Sequence, residues 1–260
     1  MPSKRESAAG VAAAAATVGV LLAGCATPAA TSTSPSTTRT LTVFAASSLK
    51  GAFTTIADGF AADNPGVKVA YTFNGSSTLV DQLKGGAPAD VFASADEANM
   101  AKATDASLVA GSPAIFATNV LTLVVAPGNP KHITGLDASL AGRKLVVCAV
   151  GVPCGSALAT LEKNLGVAPA PVSQEQSVAD VLGKVTSGEA DAGVVYATDA
   201  KAAGAKVATV PIQSSDKVVN RYPIAATASA KDPALAAAFV AYVTGAKGGA
   251  VLATYGFGTP

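Results

Sequence analysis

The chain has 260 residues, of which only 13% are charged, and its formal net charge is +1. Because binding to nucleic-acid phosphates depends on concentrated Lys and Arg, this balance argues against a nucleic-acid-binding protein. One histidine and three cysteines leave too few ligands for the usual zinc sites.

Residues 1–24 are predicted to be a lipoprotein signal peptide. Two basic residues precede an apolar run from Val11 to Ala23, about a dozen residues that are too short to cross a bilayer alone. The run ends in a Leu-Ala-Gly-Cys sequence that resembles a bacterial lipobox, so Cys25 is the predicted lipidation site. An ordinary secretory signal followed by an accidental cysteine is the alternative.

Residues 25–40 are predicted to form a disordered tether. They are rich in Ser, Thr and Pro and poor in bulky apolar groups, so they bury too little surface to offset the entropy of ordering. Folding is predicted to begin at Leu41, which leaves about 220 residues for one large or two small lobes.

From Leu41 onward, strand-like apolar runs alternate with segments of helical periodicity. Strands are predicted at 41–46, 67–73, 90–95, 119–126, 144–150, 192–196 and 207–212. Helices are predicted at 49–60, 79–84, 96–104, 178–185 and 233–253, and a further helix follows the turn at 151–155 and ends at Leu165. This alternation is typical of an α/β fold with mainly parallel sheets flanked by helices.

Two of the predicted strands end at hydroxyl side chains where a helix is predicted to begin. Ser48 follows the first strand, and Ser76 follows the second. A helix N-terminus carries unpaired backbone N–H groups and the positive end of the helix dipole. Two such ends directed at one point would hold a small anion without a cationic side chain. The alternative is that both serines only cap their helices.

Cys148 and Cys154 are separated by five residues. Outside the cytoplasm this pair favours a disulfide, and two free buried thiols are the alternative.

The sequence offers no catalytic arrangement, so we predict that the protein is not an enzyme. The single histidine, His132, lies in a Pro-Lys-His turn, and neither a Gly-x-Ser-x-Gly motif nor a glycine-rich phosphate-binding motif occurs. The carboxylates of Asp90 and Asp96 flank an apolar strand and are interpreted as a strand edge and a helix opener.

Five segments together resemble the molybdate-binding proteins of ABC transporters. They are 43–49, 73–79, 86–96, 193–200 and 255–257. The resemblance runs in order from Thr40 to the C-terminus and implies a type II periplasmic-binding-protein fold with a ligand cleft between two lobes. We predict lobe 1 at 41–119 and 226–260, lobe 2 at 120–225, and hinge crossings near 119–121 and 222–226.

The resemblance also implies which residues bind the oxyanion. It assigns hydroxyl donors to Ser48 and Ser76, backbone N–H donors to Cys154 and Val178, and a phenolic donor to Tyr196. Here Cys154 replaces the small residue usual in the Val-Pro-x-Gly turn, a change that a backbone contact tolerates. No cofactor is expected, and no metal apart from the molybdenum of the bound oxyanion.

The expected protein is a monomeric receptor, lipid-anchored at the outer face of the cell membrane. It would capture molybdate, and also tungstate, and deliver it to an ABC permease with its ATPase subunits. Sulfate or another oxyanion is the alternative cargo. A cell-surface lipoprotein that acts in adhesion or signalling is the alternative from another functional class.

Overall fold

The computed structural model describes residues 38–260, so the predicted signal peptide, Cys25 and most of the predicted tether lie outside the described residues. The fold begins two residues earlier than predicted. Strand β1 starts at Arg39 rather than Leu41, because the Arg39 N–H donates to the carbonyl of Gly66, 2.8 Å away, and pairs this end of β1 with β2.

Within residues 38–260 there are ten strands and eight α-helices, and most of them alternate along the chain. The strands are β1 (Arg39–Ala46), β2 (Val67–Asn74), β3 (Val91–Ala93), β4 (Ala114–Asn119), β5 (Leu121–Val125), β6 (Leu145–Cys148), β7 (Ser173–Glu175), β8 (Ala192–Tyr196), β9 (Ala208–Val210) and β10 (Asn220–Ala226). The helices are α1 (Lys50–Asp63), α2 (Ser76–Lys84), α3 (Glu97–Asp105), α4 (Pro153–Leu165), α5 (Val178–Thr186), α6 (Ala197–Ala203), α7 (Pro233–Thr244) and α8 (Ala246–Tyr255).

The strands form two five-stranded sheets, one in each lobe. The first has the order β2-β1-β3-β10-β4 and the second the order β7-β6-β8-β5-β9. The two-lobed α/β architecture agrees with the prediction, and each sheet is mixed, with four of its five strands running in the same direction. The reason is that β5 and β10, the strands that follow the two connections between the sheets, run antiparallel to both of their neighbours.

The chain crosses between the sheets twice. The first crossing is at Val120, between β4 and β5, where the sequence predicted it. The second lies at 211–219, between β9 and β10. Because β10 pairs with β3 and β4 from Asn220 onward, the predicted lobe boundary between residues 225 and 226 falls inside a strand of the first sheet.

Local sequence explains most helix boundaries. The side chains of Asp96, Ser177 and Asp232 each accept a hydrogen bond from a first-turn backbone N–H, as N-cap residues do. The helix predicted at 233–253 is instead two helices, because Gly245 adopts an extended conformation between them. Within residues 38–260 no single helix meets the length and hydropathy needed to cross a membrane; α7 and α8 do so only as a pair bent by 55°.

Candidate functional site

The structure brings the five predicted site residues together around one small cavity between the two sheets. Ser48 lies just after β1, and Ser76 is the first residue of α2. The other side is formed by Cys154 and Val178, at the starts of α4 and α5, and by Tyr196 at the end of β8. The full lining comprises Ala46, Ser47, Ser48, Asn74, Gly75, Ser76, Ala95, Val152, Pro153, Cys154, Val178 and Tyr196.

Three α-helices begin at this cavity, and they come from both lobes. α2 belongs to the first lobe, whereas α4 and α5 belong to the second. The backbone N–H groups of the first turn of a helix have no acceptor within that helix. Cys154 and Val178 occupy first-turn positions, so their N–H groups are donors of this kind. The converging helix ends therefore give the cavity a positive potential without a formal charge.

The hydroxyl of Ser76 is held so that it can donate into the cavity. Its Oγ accepts a hydrogen bond from the Ala95 N–H at 3.0 Å. Ser76 is almost fully buried, so this hydrogen bond is shielded from water. Since Ser76 Oγ donates to no acceptor within residues 38–260, the hydroxyl proton is available to an acceptor in the cavity.

Tyr196 supplies a buried phenolic donor. Its oxygen is fully buried and has no hydrogen-bond partner among the described residues. Burial, reinforced by the nearby Tyr222 and Asp96, raises the pKa of Tyr196 well above its usual value, so the phenol keeps its proton at neutral pH. An unsatisfied buried polar group costs about 1–3 kcal/mol. An acceptor bound in the cavity would remove that cost.

The chemistry of the lining favours a small anion with only acceptor groups. No charged side chain is present among the lining residues, and the hydroxyls of Ser48, Ser76 and Tyr196 and the first-turn N–H groups of Cys154 and Val178 can donate. The cavity volume is about 10 Å³, far below the roughly 300–1,000 Å³ typical of pockets for drug-sized ligands. Within residues 38–260 no group of three His, Cys, Asp or Glu side chains is placed to hold a metal ion.

A disulfide fixes the turn that leads into α4. Cys148, at the end of β6, is bonded to Cys154, and the two Cα atoms are 5.7 Å apart. The turn is tightly closed: a Cβ on Gly155 would lie 2.1 Å from the carbonyl oxygen of Ala149. The disulfide thus restrains the position of the Cys154 N–H at the cavity.

Gly75 lies at a close contact between the lobes that the sequence pattern does not indicate. A Cβ on this residue would lie 2.0 Å from the carbonyl oxygen of Gln176 in the second lobe. The lobes also meet where the Asn99 side chain donates to the carbonyl oxygen of Gly151 at 3.2 Å. The two lobes therefore close over the cavity at backbone distance.

Asn119 and Tyr222 lie in segments predicted as hinge crossings, and their hydrogen bonds near the cavity were not predicted. Both are buried; Tyr222 is hydrogen-bonded to Ser48 in the cavity lining, and Asn119 is hydrogen-bonded to Tyr222. Their positions depend on β10, which was not predicted as a strand because Pro223 interrupts the pattern.

The carboxylates of Asp90 and Asp96 accept hydrogen bonds from backbone N–H groups and thereby hold local structure. Asp90 accepts from the Thr42 N–H and from the Lys231 N–H, each at 2.7 Å, and so joins β1 to the segment before α7. Asp96 is the N-cap of α3. These contacts agree with the interpretation of Asp90 and Asp96 as a strand edge and a helix opener.

Replacing Asp199 by Asn should change how the free energy of unfolding depends on pH. Burial raises the pKa of Asp199 from 3.8 to about 7, although its hydrogen bond from the Tyr196 N–H opposes the shift. Because the pKa of Asp199 is higher in the folded than in the unfolded state, its protonated form contributes to the free energy of unfolding. This contribution is complete below the unfolded pKa and is lost as pH rises through about 7. Asn keeps an acceptor for the Tyr196 N–H but does not ionise.

The difference in the free energy of unfolding between Asp199→Asn and wild type should therefore grow in favour of the variant as pH rises from about 4 to above 7, approaching about 4 kcal/mol. Denaturant unfolding at a series of pH values measures it. The exposed Asp216→Asn serves as the control and should show a constant difference. A constant difference for Asp199→Asn as well would contradict the assigned shift.

Comparison with known proteins gives consistent matches over the described fold. Residues 41–258 match the family model described as "Bacterial extracellular solute-binding protein". The chain is 47% identical over 244 residues to the molybdate-binding protein ModA of Mycobacterium tuberculosis, covering 93% of this chain and 94% of the relative. It is 33% identical to ModA of Escherichia coli, covering 84% of this chain and 88% of that protein.

Among solved structures, the periplasmic molybdate-binding protein of Azotobacter vinelandii is similar throughout. The TM-score is 0.75 at 25% identity, and the match covers 85% of this chain and 99% of that protein.

Proposed function

The chain belongs to the bacterial extracellular solute-binding proteins, and from this membership we propose that it is the substrate-binding protein of an ABC transporter with molybdate as its solute. The relatives of this chain are solute-binding proteins rather than enzymes, which confirms the prediction that the chain is not an enzyme. The similarity to molybdate-binding proteins extends over nearly the whole chain.

The observation that carries the proposal is the unpartnered phenolic oxygen of Tyr196 beside a cavity that offers donors. We assign the ligand contacts to the hydroxyls of Ser48 and Ser76, the N–H groups of Cys154 and Val178, and the phenol of Tyr196. Each hydrogen bond to a charged ligand contributes about 1.5–3 kcal/mol. Five of them, less the cost of closing the lobes, support tight binding.

The donor set also explains discrimination among anions. Molybdate is fully deprotonated at neutral pH and presents only acceptors. Hydrogen phosphate carries a proton that requires an acceptor, and a cavity of donors leaves that proton unpaired. Tungstate has nearly the same size and charge as molybdate, and we propose that it binds comparably.

Closure of the lobes links binding to transport. The open state exposes the donors of each lobe separately, whereas the closed state places both sets around one anion, so the anion favours closure through its differential affinity. We propose that lobe 1 and lobe 2 move about the crossings at Val120 and at 211–219, and that a permease with its ATPase subunits recognises the closed form.

Membrane attachment is proposed from the sequence. The lipobox-like residues before Cys25 favour lipidation of that cysteine and a monomer anchored to the outer face of the cell membrane. Lipid attachment at Cys25 would tether the folded domain to the membrane and would not make it a membrane-spanning protein.

Calorimetric titration of the protein with molybdate, tungstate, sulfate and phosphate tests the proposed solute. We expect molybdate and tungstate to bind comparably and much more tightly than the other two anions. Sulfate binding at least as tight as molybdate binding would overturn molybdate in favour of sulfate. No binding of any of these oxyanions would favour a surface lipoprotein with a role in adhesion or signalling.

A further inference from the structure

A chain of buried hydrogen bonds lies behind the hydroxyl of Ser48. It begins at the crossing between the lobes, where the Val120 N–H donates to Asn119 Oδ1 at 3.0 Å. Because that N–H requires an acceptor, it fixes which side of the Asn119 amide is oxygen. The amide nitrogen therefore faces Thr198 Oγ1 at 2.7 Å and the Tyr222 hydroxyl at 3.3 Å.

The next step of the chain has a defined direction. Tyr222 is fully buried, and its hydroxyl contacts Asn119 Nδ2 and Ser48 Oγ, the latter at 3.1 Å. An amide nitrogen cannot accept a hydrogen bond. The neighbouring Tyr196 hydroxyl is not within hydrogen-bonding geometry of any partner, so among the described residues Ser48 Oγ is the acceptor for the Tyr222 proton. Ser48 receives that bond, and its own proton is left for the cavity.

We propose that Asn119 and Tyr222 are positioning residues that determine specificity, because they hold Ser48 as a donor toward the ligand. This inference rests on the proposed function and deepens it. With Tyr222 donating to Ser48 Oγ and the Ala95 N–H donating to Ser76 Oγ, both serine oxygens are occupied from behind. Each serine oxygen then has one lone pair left and its own proton directed toward the cavity, so donation to the ligand is favoured over acceptance of a proton from a protonated oxyanion.

Tyr222→Phe tests this role with little disturbance of packing. The ring of Tyr222 packs edge-on against Phe116, Tyr196 and Phe257, and Phe retains those contacts. Without the phenolic proton, Ser48 Oγ can rotate and accept from a ligand. A general loss of structure would weaken all anions equally, whereas the proposed role changes the ratio between anions.

The affinities are measured for molybdate, sulfate and phosphate at mildly alkaline pH, where phosphate is the hydrogen phosphate dianion. Phosphate is titrated in competition with molybdate. We expect Tyr222→Phe to reduce the preference for each fully deprotonated anion over hydrogen phosphate by about tenfold. Tyr71→Phe is the matched control, since it also removes a phenol hydroxyl, one bonded to the Phe53 carbonyl away from the cavity. It should leave the preference unchanged.

A double-mutant cycle tests whether Tyr222 acts through Ser48. In a Ser48→Ala background, Tyr222→Phe should cause no further change in the preference. The same cycle in the ligand-free protein should give non-additive changes in Tm, because Ser48→Ala alone leaves the Tyr222 proton without an acceptor.

The outcomes separate the inference from the proposed function. If the wild type binds molybdate and Tyr222→Phe keeps its full preference, the inference is overturned and the function stands. If sulfate proves to be the solute, the ratio of sulfate affinity to phosphate affinity tests the inference instead. An unchanged ratio in Tyr222→Phe would overturn it. If the wild type binds no oxyanion, the proposed function is overturned, and additive Tm changes in the ligand-free cycle would overturn the inference as well.

Discussion

Replacing Gly75 by Ala should weaken molybdate binding by at least about a hundredfold, because the lobes can no longer close and the donors of the second lobe are lost. The added methyl group would lie 2.0 Å from the Gln176 carbonyl oxygen, and a backbone atom cannot move aside as a flexible side chain can. Gly75 itself has φ −61 and ψ 141, which Ala adopts without strain. Gly75 is the N-cap of α2, and replacing it there by Ala should lower the free energy of unfolding by only about 1 kcal/mol.

Two measurements check this result together. Calorimetry gives the affinity, and small-angle scattering shows whether molybdate reduces the radius of gyration. We expect the wild type to contract on binding and Gly75→Ala to remain open. Gly249→Ala is the control, since its Cβ meets nothing within 4 Å. Contraction of Gly75→Ala with near wild-type affinity would show that this contact does not limit closure.

The combined substitution Ser48→Ala and Ser76→Ala should lower molybdate affinity by about two to four orders of magnitude, because each serine loses a hydrogen bond to a charged ligand. The fold should persist at reduced stability. The Ala95 N–H and the Tyr222 proton lose their acceptors, and each unpaired buried donor costs about 1–3 kcal/mol.

Calorimetry on the double variant measures the loss, and circular dichroism confirms that it is folded. Ser77→Ala is the matched control, because Ser77 lies on the same helix but not in the cavity lining. It should bind as the wild type does. A folded double variant with affinity within a few-fold of wild type would remove both serines from the site.

Much of the first lobe was predictable because its sequence signals are local. Strands β1 and β2 and the start of α1 lie within two residues of their predicted positions, whereas α2 begins at Ser76, three residues before the start predicted from its periodicity. The Ser177 and Asp96 caps likewise marked helix starts correctly. The resemblance to molybdate-binding proteins then supplied Cys154, Val178 and Tyr196, which periodicity alone would not single out.

The features that escaped prediction depend on contacts between distant parts of the chain. β10 contains Pro223 and follows an irregular segment, so only its pairing with β3 and β4 identifies it as a strand. The roles of Tyr222 and Asn119 follow from that pairing and from the crossing at Val120. The restriction at Gly75 likewise requires knowledge of Gln176, about a hundred residues away.

A crystal structure of the protein with molybdate tests the central claim most directly. We expect anomalous scattering from molybdenum to place the anion between Ser48, Ser76 and Tyr196, with the N–H groups of Cys154 and Val178 within hydrogen-bond distance of its oxygens. All its contacts should be with neutral donors contributed by both lobes. An anion bound elsewhere, or one neutralised by a Lys or Arg side chain, would contradict the account.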